Sequence, residues 1–310
     1  MIEIIKPGFY TLIQDIGRNE YQEYGMPVSG VMDRDSYRLA NYLVENTSGE
    51  AVLEITMTGP EILFLEETEI GITGADMSPM INEVPLEMYT TILVSKGDVL
   101  SFGKLKNGFR SYLSINGGFE VDKKMNSRST YTYASVGGFY GRALKIGDVI
   151  PVGARGSVQL KKVPEILFVK PFSTTSVRVI KGPEFEVLKL GEDSCFFSTE
   201  YRIGNNSNRM GYRLKGQSIA HDAKEMLSTG IVNGAIQLPS EGMPIVLLAD
   251  AQTTGGYPRI ANVIQSDLPL LAQLKPGDKL RFRKVTLEEG QSNYFNKEKQ
   301  FNGLLGLSKK

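Results

Sequence analysis

In the stretch "LLADAQTTGGYPRIANVI", Leu247 to Ile264, a strand-like apolar run breaks at Asp250 and resumes after Pro258. Two apolar runs separated by a glycine- and proline-rich break read as strands joined by a turn, which points to a β fold. The break carries more than a turn needs. A hairpin is closed by two or three residues with one glycine, whereas here an acid, an amide, two hydroxyls, two glycines and a tyrosine stand together.

Working outward, apolar runs of strand length recur at 61–65 (EILFL), 90–94 (TTILV), 99–102 (VLSF), 111–115 (SYLSI), 177–180 (VRVI), 234–238 (GAIQL), 245–249 (IVLLA) and 279–282 (KLRF). Most are bounded by Gly, Pro, Asn or Asp, and with 33 glycines in the chain the expected fold class is mainly β with a few short helices. Three helices are expected. The first follows Asp33 as N-cap, with Leu39, Ala40, Leu43 and Val44 on one face. A second opens at Ser266 and stops at Pro276-Gly277. A third is C-terminal, where Thr286 and Glu289 have capping-box spacing; its last stretch, 297–310, is expected to fray.

At 310 residues the chain is about twice the length of a common domain, and Pro164, Pro171 and the Ser/Thr-rich "FSTTS" divide it into expected domains 1–170 and 171–310. The halves echo each other: "IIKPGF" (4–9) is answered by "VIKGPEF" (179–185), and "GITGADMSP…SKGDVLSF" (71–102) by "DAQTTGGYP…KPGDKLRF" (250–282). A duplicated β-domain leaves such spacing, and so do recurring Gly-Asp turns.

Composition excludes several functions. The 35 basic and 35 acidic residues cancel, which gives neither the footprint of a nucleic-acid binder nor a polybasic membrane patch. No apolar segment reaches the ~18 residues of a membrane span and the N-terminus lacks a signal-peptide pattern, so a cytoplasmic location is expected. One cysteine and one histidine allow no disulfide, zinc cluster or serine triad. Cys195 in "DSCFFS" reads as a buried small hydrophobe on a strand, and His221 as a surface residue. "GGFYGRA" (137–143) lacks the Gly-Lys-Ser/Thr ending of a phosphate loop.

Three polar clusters remain. "LIQDIGRNEYQEYGMPVSGVMDRDS" holds Gln14, Asp15, Arg18, Tyr24, Ser29 and Asp33; Arg18 has the fork to grip an anion, and the plain reading is a loop feeding the first helix with Asp15 and Arg18 paired. "GNNSNRMGYRLKG" (204–216) holds Arg209, with an Asn-rich hairpin as its plain reading. In the opening stretch, Thr253 and Thr254 and the backbone N–H groups around Gly255 and Gly256 could meet a small polar ligand, with Asp250 as base or acceptor; the plain reading is a bulge at a barrel corner. With no conventional nucleophile or cofactor motif in the chain, the reactive group is expected from a cofactor or a partner subunit.

Together "QDIGR…GMPVSGVMDRDSYRLAN", "LEITMTGPEILF", "ITGAD", "SYLSINGGF", "SRST", "GRALKIGD", "SNRMGYRLKG", "GAIQLPSEGMPIVLLADAQTTGGYP" and "LAQLKPGD" resemble the biotin-dependent carboxyltransferase family, also called allophanate hydrolase subunit 2. That family includes the C subunit of prokaryotic 5-oxoprolinase and the antagonist of the sporulation-kinase inhibitor Kip. The resemblance runs in order from Gln14 to about Asp278. It implies two cyclophilin-like β-barrel domains, a partner resembling allophanate hydrolase subunit 1, and in the oxoprolinase assembly a third subunit. The implied reaction is ATP-dependent opening of 5-oxoproline to glutamate, with ATP at the level of the complex and no metal in this chain. Urea carboxylase offers a second implied reaction, carboxyl transfer from biotin to urea. No Met-Lys-Met motif is present, so biotin would arrive on a separate carrier protein. A third implied role is regulatory binding without catalysis.

By position, the resemblance nominates Asp250, Arg18 and Asp15 as catalytic. It nominates Gln14, Arg209, Gln237, Thr253, Thr254, Gly255, Gly256 and Tyr257 for a small amide or lactam substrate. Arg18 or Arg209 is expected to take a substrate carboxylate, Asp250 to handle a proton, and the Thr-Thr-Gly-Gly turn to meet the carbonyl oxygen. The chain departs from the family's pattern at Asn19-Glu20 and Asn126, where glycine is usual, and at Ala251, where arginine is frequent.

Overall fold

The computed structural model describes residues 1–169, 174–223 and 226–306. It divides into two compact units, one of Met1–Asn19 with Ser29–Lys170, the other of Glu20–Val28 with Pro171–Lys310. The segment 170–173, where the sequence suggests a boundary, lies outside the described residues, as do 307–310.

Unit 1 is built from two antiparallel sheets. The six-stranded sheet runs in the order Val149–Ile150, Ile2–Lys6, Glu61–Phe64, Val99–Phe102, Pro79–Ile81, Val84–Pro85; the five-stranded sheet runs Tyr10–Gln14, Val52–Thr56, Asn107–Ile115, Thr68–Asp76, Thr91–Val94. Alternate residues of the strands, among them Ile2, Ile4, Ile13, Leu53, Ile55, Ile62, Phe64 and Leu113, fill one core, as the period-2 pattern requires. The strand Val52–Thr56 is buried at all five positions, because its second face is also covered. Helix α1 (Arg34–Leu43) lies there: Ser114 Oγ donates to Ala40 O at 2.5 Å and Thr73 Oγ1 to Ser36 O at 2.7 Å. Gly71 permits this approach, since a Cβ there would stand 2.8 Å from Ala40 O. Asp33 caps α1 as the sequence implies, its carboxylate accepting from the backbone N–H of Asp35 and Ser36 at 3.0 Å.

Unit 2 closes as a seven-stranded barrel in the order Thr174–Lys181, Arg259–Val263, Ala235–Gln237, Ile245–Leu247, Gly211–Lys215, Tyr201–Ile203, Lys279–Lys284. Parallel pairing of the first strand with the last completes the ring. Helices α2 (Glu192–Ser198), α3 (Leu268–Ala272) and α4 (Leu287–Leu304) accompany it. The capping box of α4 is present in both directions, Glu289 N–H to Thr286 Oγ1 at 3.2 Å and Thr286 N–H to Glu289 Oε2 at 2.7 Å.

Three local expectations are corrected. "DSCFFS" is α2 rather than a strand, because one turn of helix places Phe196 against Phe282 at 4.9 Å and near Tyr201; Cys195 is half-buried. His221 is also half-buried and structural: its Nδ1 accepts from Ala223 N–H at 3.2 Å, which leaves Nε2–H to donate to Pro239 O at 3.1 Å. Residues 297–304 do not fray but continue α4, anchored by the buried Phe301.

The Gly-Asp turns are one device used three times. Gly97, Gly147 and Gly277 adopt φ of 94°, 80° and 94°. Each donates its N–H to a strand residue (Phe64, Ile4, Ile203) whose own N–H returns to the carbonyl of the following Asp98, Asp148 or Asp278. Each aspartate also accepts from the backbone N–H three residues before it, at 2.7 to 3.0 Å. Two of the three lie in unit 1, so turn chemistry by itself can repeat a Gly-Asp pair within one unit.

Candidate functional site

The first polar cluster folds into a closed clamp within unit 1. Leaving the strand Tyr10–Gln14, the chain meets the loop 124–130 through Asp15, which is 3% exposed. One carboxylate oxygen accepts from Gly17 N–H at 2.8 Å, Ser127 Oγ at 2.6 Å and Ser129 Oγ at 2.5 Å; the other accepts from Arg128 N–H at 2.6 Å. Arg18, with none of its surface exposed, donates to the carbonyls of Ser129 and Lys124, so both side chains turn to the same loop. Gln14 is equally buried and its Nε2 donates to Thr130 O at 3.0 Å. The glycines of "GGFYG" complete the clamp: at φ 70° and 52°, Gly137 and Gly138 sit flat against Ser129, Arg18 and Thr130, where a Cβ would collide. These glycines are therefore needed for close packing against the loop 124–130.

A second network, on the outer face of the five-stranded sheet, lies mostly outside the three polar clusters of the sequence. Glu54 Oε2 accepts from Met32 N–H at 2.7 Å and Tyr112 OH at 2.9 Å; Tyr112 OH in turn accepts from Asp33 N–H at 2.8 Å, and Arg110 Nε stands 3.8 Å from Glu54 Oε1. Burial first, then the neighbouring Glu54 and Asp33 charges, push the Tyr112 phenol well above its ordinary value. A signal existed in the sequence. In "VLEIT" Glu54 and Thr56 alternate with the core residues Leu53 and Ile55, and in "FRSYLS" Arg110, Tyr112 and Ser114 share the opposite face from Leu113, which is a second buried face rather than a solvent face.

In unit 2 the opening stretch forms a corner with an inner and an outer layer. Inside, Arg209 grips Asp250 with a two-pronged fork, Nε to Oδ2 at 2.8 Å and Nη2 to Oδ1 at 3.0 Å, and Asp250 N–H donates to Arg209 O at 3.0 Å. Their side chains are 6% and 3% exposed, the geometry of a strong charge-assisted pair. Ala251 packs with Ile231, Ala235 and Leu247, so the position where the family often has arginine is here part of an apolar plug.

Outside, Thr254–Gly255 pairs with Thr229–Gly230 as a short two-stranded ribbon, and Thr254, Gly256 and Tyr257 are exposed while Thr253 is half-buried. Gln237, 2% exposed, supports the outer layer from below: its Nε2 reaches Tyr257 O at 3.4 Å and lies against Gly255, where a Cβ would stand 2.7 Å from it and 2.6 Å from Ile231 Cδ1. Gly255 is therefore glycine for packing. At Gly256 a Cβ would come no nearer than 3.4 Å to Met226 O, an ordinary contact, so the bare backbone is open to an approaching group. Arg209, Gln237, Asp250 and residues 253–257 thus meet in one corner of unit 2, and Gln14, Asp15 and Arg18 meet in the clamp of unit 1.

Comparison with known proteins adds four findings. The model of the family described as "Carboxyltransferase domain, subdomain A and B" matches residues 24–284. The chain is similar to the C subunit of the 5-oxoprolinase of Escherichia coli, 34% identical over 98% of this chain and 97% of that protein. It is also similar to urea amidolyase of Saccharomyces cerevisiae, 35% identical over 94% of this chain but 17% of that protein. Among solved structures, the urea carboxylase of Kluyveromyces lactis superposes with a TM-score of 0.91 at 31% identity, over 98% of this chain and 29% of that one.

Proposed function

The chain belongs to the family of carboxyltransferase domains with subdomains A and B, and from that premise we propose that it is the C subunit of an ATP-dependent 5-oxoprolinase. It would open the lactam 5-oxoproline to glutamate in a cytoplasmic complex with an allophanate hydrolase subunit 1-like protein and a third subunit. The observation that carries this reading is the 34% identity to the C subunit of the Escherichia coli 5-oxoprolinase along 97% of that protein.

The corner of unit 2 suits a planar amide. Exposed backbone N–H groups around Gly256 and the hydroxyl of Thr254 are donors that could meet a carbonyl oxygen without reorganising, and Gln237 fixes the turn that presents them. In this reading the Arg209–Asp250 pair is the rigid base of the corner, while Asp15 and Arg18 hold the loop 124–130. In this reading ATP is used at the level of the complex, and no step is routed through it here.

A second reading is favoured by the urea carboxylase superposition, namely carboxyl transfer to a urea-type amide from a biotinylated carrier. Co-expression with both partners and assay of ATP-dependent glutamate release from 5-oxoproline tests the first reading; an intact complex without turnover contradicts it. Inhibition by avidin would transfer support to the second.

A further inference from the structure

The ribbon that carries the exposed turn of unit 2 needs an anchor. Thr229–Gly230 and Thr254–Gly255 form a two-stranded sheet of their own, outside the ladder of the barrel, and two strands alone are marginally stable in water. Gly230 stands opposite Thr254, so whatever fixes Gly230 also fixes that exposed residue of the turn. Just beyond, Ile231 N–H donates to Thr253 O at 2.9 Å and Ile231 itself joins the apolar plug. On the other strand the tie to Gln237 is long, 3.4 Å at Tyr257 O.

Arg259, at the start of the strand Arg259–Val263, supplies a direct tie. Its Nη1 donates to Gly230 O at 2.8 Å. The other edge of the guanidinium is committed to Glu184: Nε donates to Oε2 at 2.9 Å and Nη2 to Oε1 at 2.6 Å, while Arg259 N–H donates to the same Oε2 at 2.9 Å. Glu184 N–H returns to Arg259 O at 3.3 Å, and Gly182 closes the loop against that carbonyl, where a Cβ would collide. A guanidinium gripped along its Nε–Nη2 edge has its plane fixed, so Glu184 sets the direction in which Nη1 points. Anchoring Glu184 needs only that edge; the third donor reaches across to the ribbon. The two side chains are 21% and 17% exposed, so the pair is not sealed in the core as Arg209 and Asp250 are.

We propose that Arg259 is a positioning residue: oriented by Glu184, it holds the ribbon through Gly230 O and so keeps the Thr254 and Gly256 donors in place for substrate. The substrate half of this rests on the amide-substrate reading above; the hold on the ribbon does not.

The test compares the wild-type chain with Arg259→Met, alone and combined with Glu184→Gln so that no carboxylate is left unpaired, and with Arg259→Lys. Amide exchange is measured on the full chain, and KM and kcat for 5-oxoproline on the reconstituted complex. The expected result in both Arg259→Met variants is exchange at least about tenfold faster in 229–231 and 253–256, with the barrel strands 211–215 and 245–247 unchanged. KM should rise about tenfold at constant kcat, as follows if the ribbon is in place only about a tenth of the time. Arg259→Lys keeps a charge for Glu184 but lacks the fork, and should restore neither protection nor KM; full rescue by lysine would reduce Arg259 to an ion pair and overturn the proposal. A ribbon still protected in both Arg259→Met variants, exchange raised evenly through the barrel in both, or a loosened ribbon with wild-type KM would also overturn it. If the wild-type complex does not turn over 5-oxoproline, the substrate reading fails separately, and exchange alone decides whether Arg259 holds the ribbon.

Discussion

The clamp around Asp15 and the corner around Asp250 look alike as sequence, each an acid and an arginine among glycines, hydroxyls and an amide, yet they differ in what their polar groups face. Among the described residues, every donor to the Asp15 carboxylate comes from its own unit, from Gly17, Ser127, Arg128 and Ser129. The Asp250 corner is equally closed in its inner layer but presents Thr254, Gly256 and Tyr257 outward. Polar density in a sequence therefore marks buried scaffolding as readily as a ligand surface. What separates them is whether the groups are already satisfied.

The sharpest way to break this comparison is to disrupt the two inner layers. Arg209→Met leaves Asp250 buried without its fork and should cost about 3–5 kcal/mol of stability, read by denaturant unfolding. Asp15→Asn turns an acceptor of four hydrogen bonds into a group with a misplaced donor, and should cost about 3 kcal/mol. If either variant melts like the wild type while losing turnover, the residue is catalytic rather than structural. For the same reason Arg18→Ala is expected to lower the melting temperature first and activity only through the fold.

The outer layer is sharpened by its two glycines. Gly255→Ala must push Ile231 or Gln237 aside and should cost about 1–3 kcal/mol, whereas Gly256→Ala should leave stability within about 0.5 kcal/mol and reveal itself in KM. Equal melting curves for both would remove the packing role given to Gly255.

A smaller effect follows from pH. The Arg142 fork on Asp148, at 2.7 and 2.8 Å, holds that carboxyl below its ordinary range, and Arg259 does the same to Glu184. A carboxylate whose folded pKa lies below its unfolded value stabilises the fold above the unfolded value and stops doing so as pH falls through the folded one. Unfolding midpoints should thus be flat near neutrality and drop below about pH 4; replacing Asp148 by Asn should flatten part of that drop.

Much of the fold was legible because its signals are local. Strand runs such as 99–102, the Asp33 cap and the Thr286/Glu289 box each appear where the sequence places them. The helix at 192–198 was not legible, since seven residues make only about two turns and its packing on Phe282 is a long-range contact. Among site residues, the meeting of Gln237 with Gly255 and Tyr257 could be anticipated from family position. The fork between Arg209 and Asp250, 41 residues apart, could not, because pairing across the barrel is set by strand register. The Glu54–Tyr112 network was missed for a related reason: a strand buried on both faces hides its polar row among apolar neighbours.

The central claim is that the exposed turn 253–257 meets the substrate while the buried Asp15 clamp only supports. Steady-state kinetics of the assembled complex carrying Thr254→Ala test it most directly. The account predicts KM for 5-oxoproline raised about tenfold, the worth of one hydrogen bond of ~1.4 kcal/mol, with the melting temperature unchanged. Wild-type KM and kcat in that variant would contradict it.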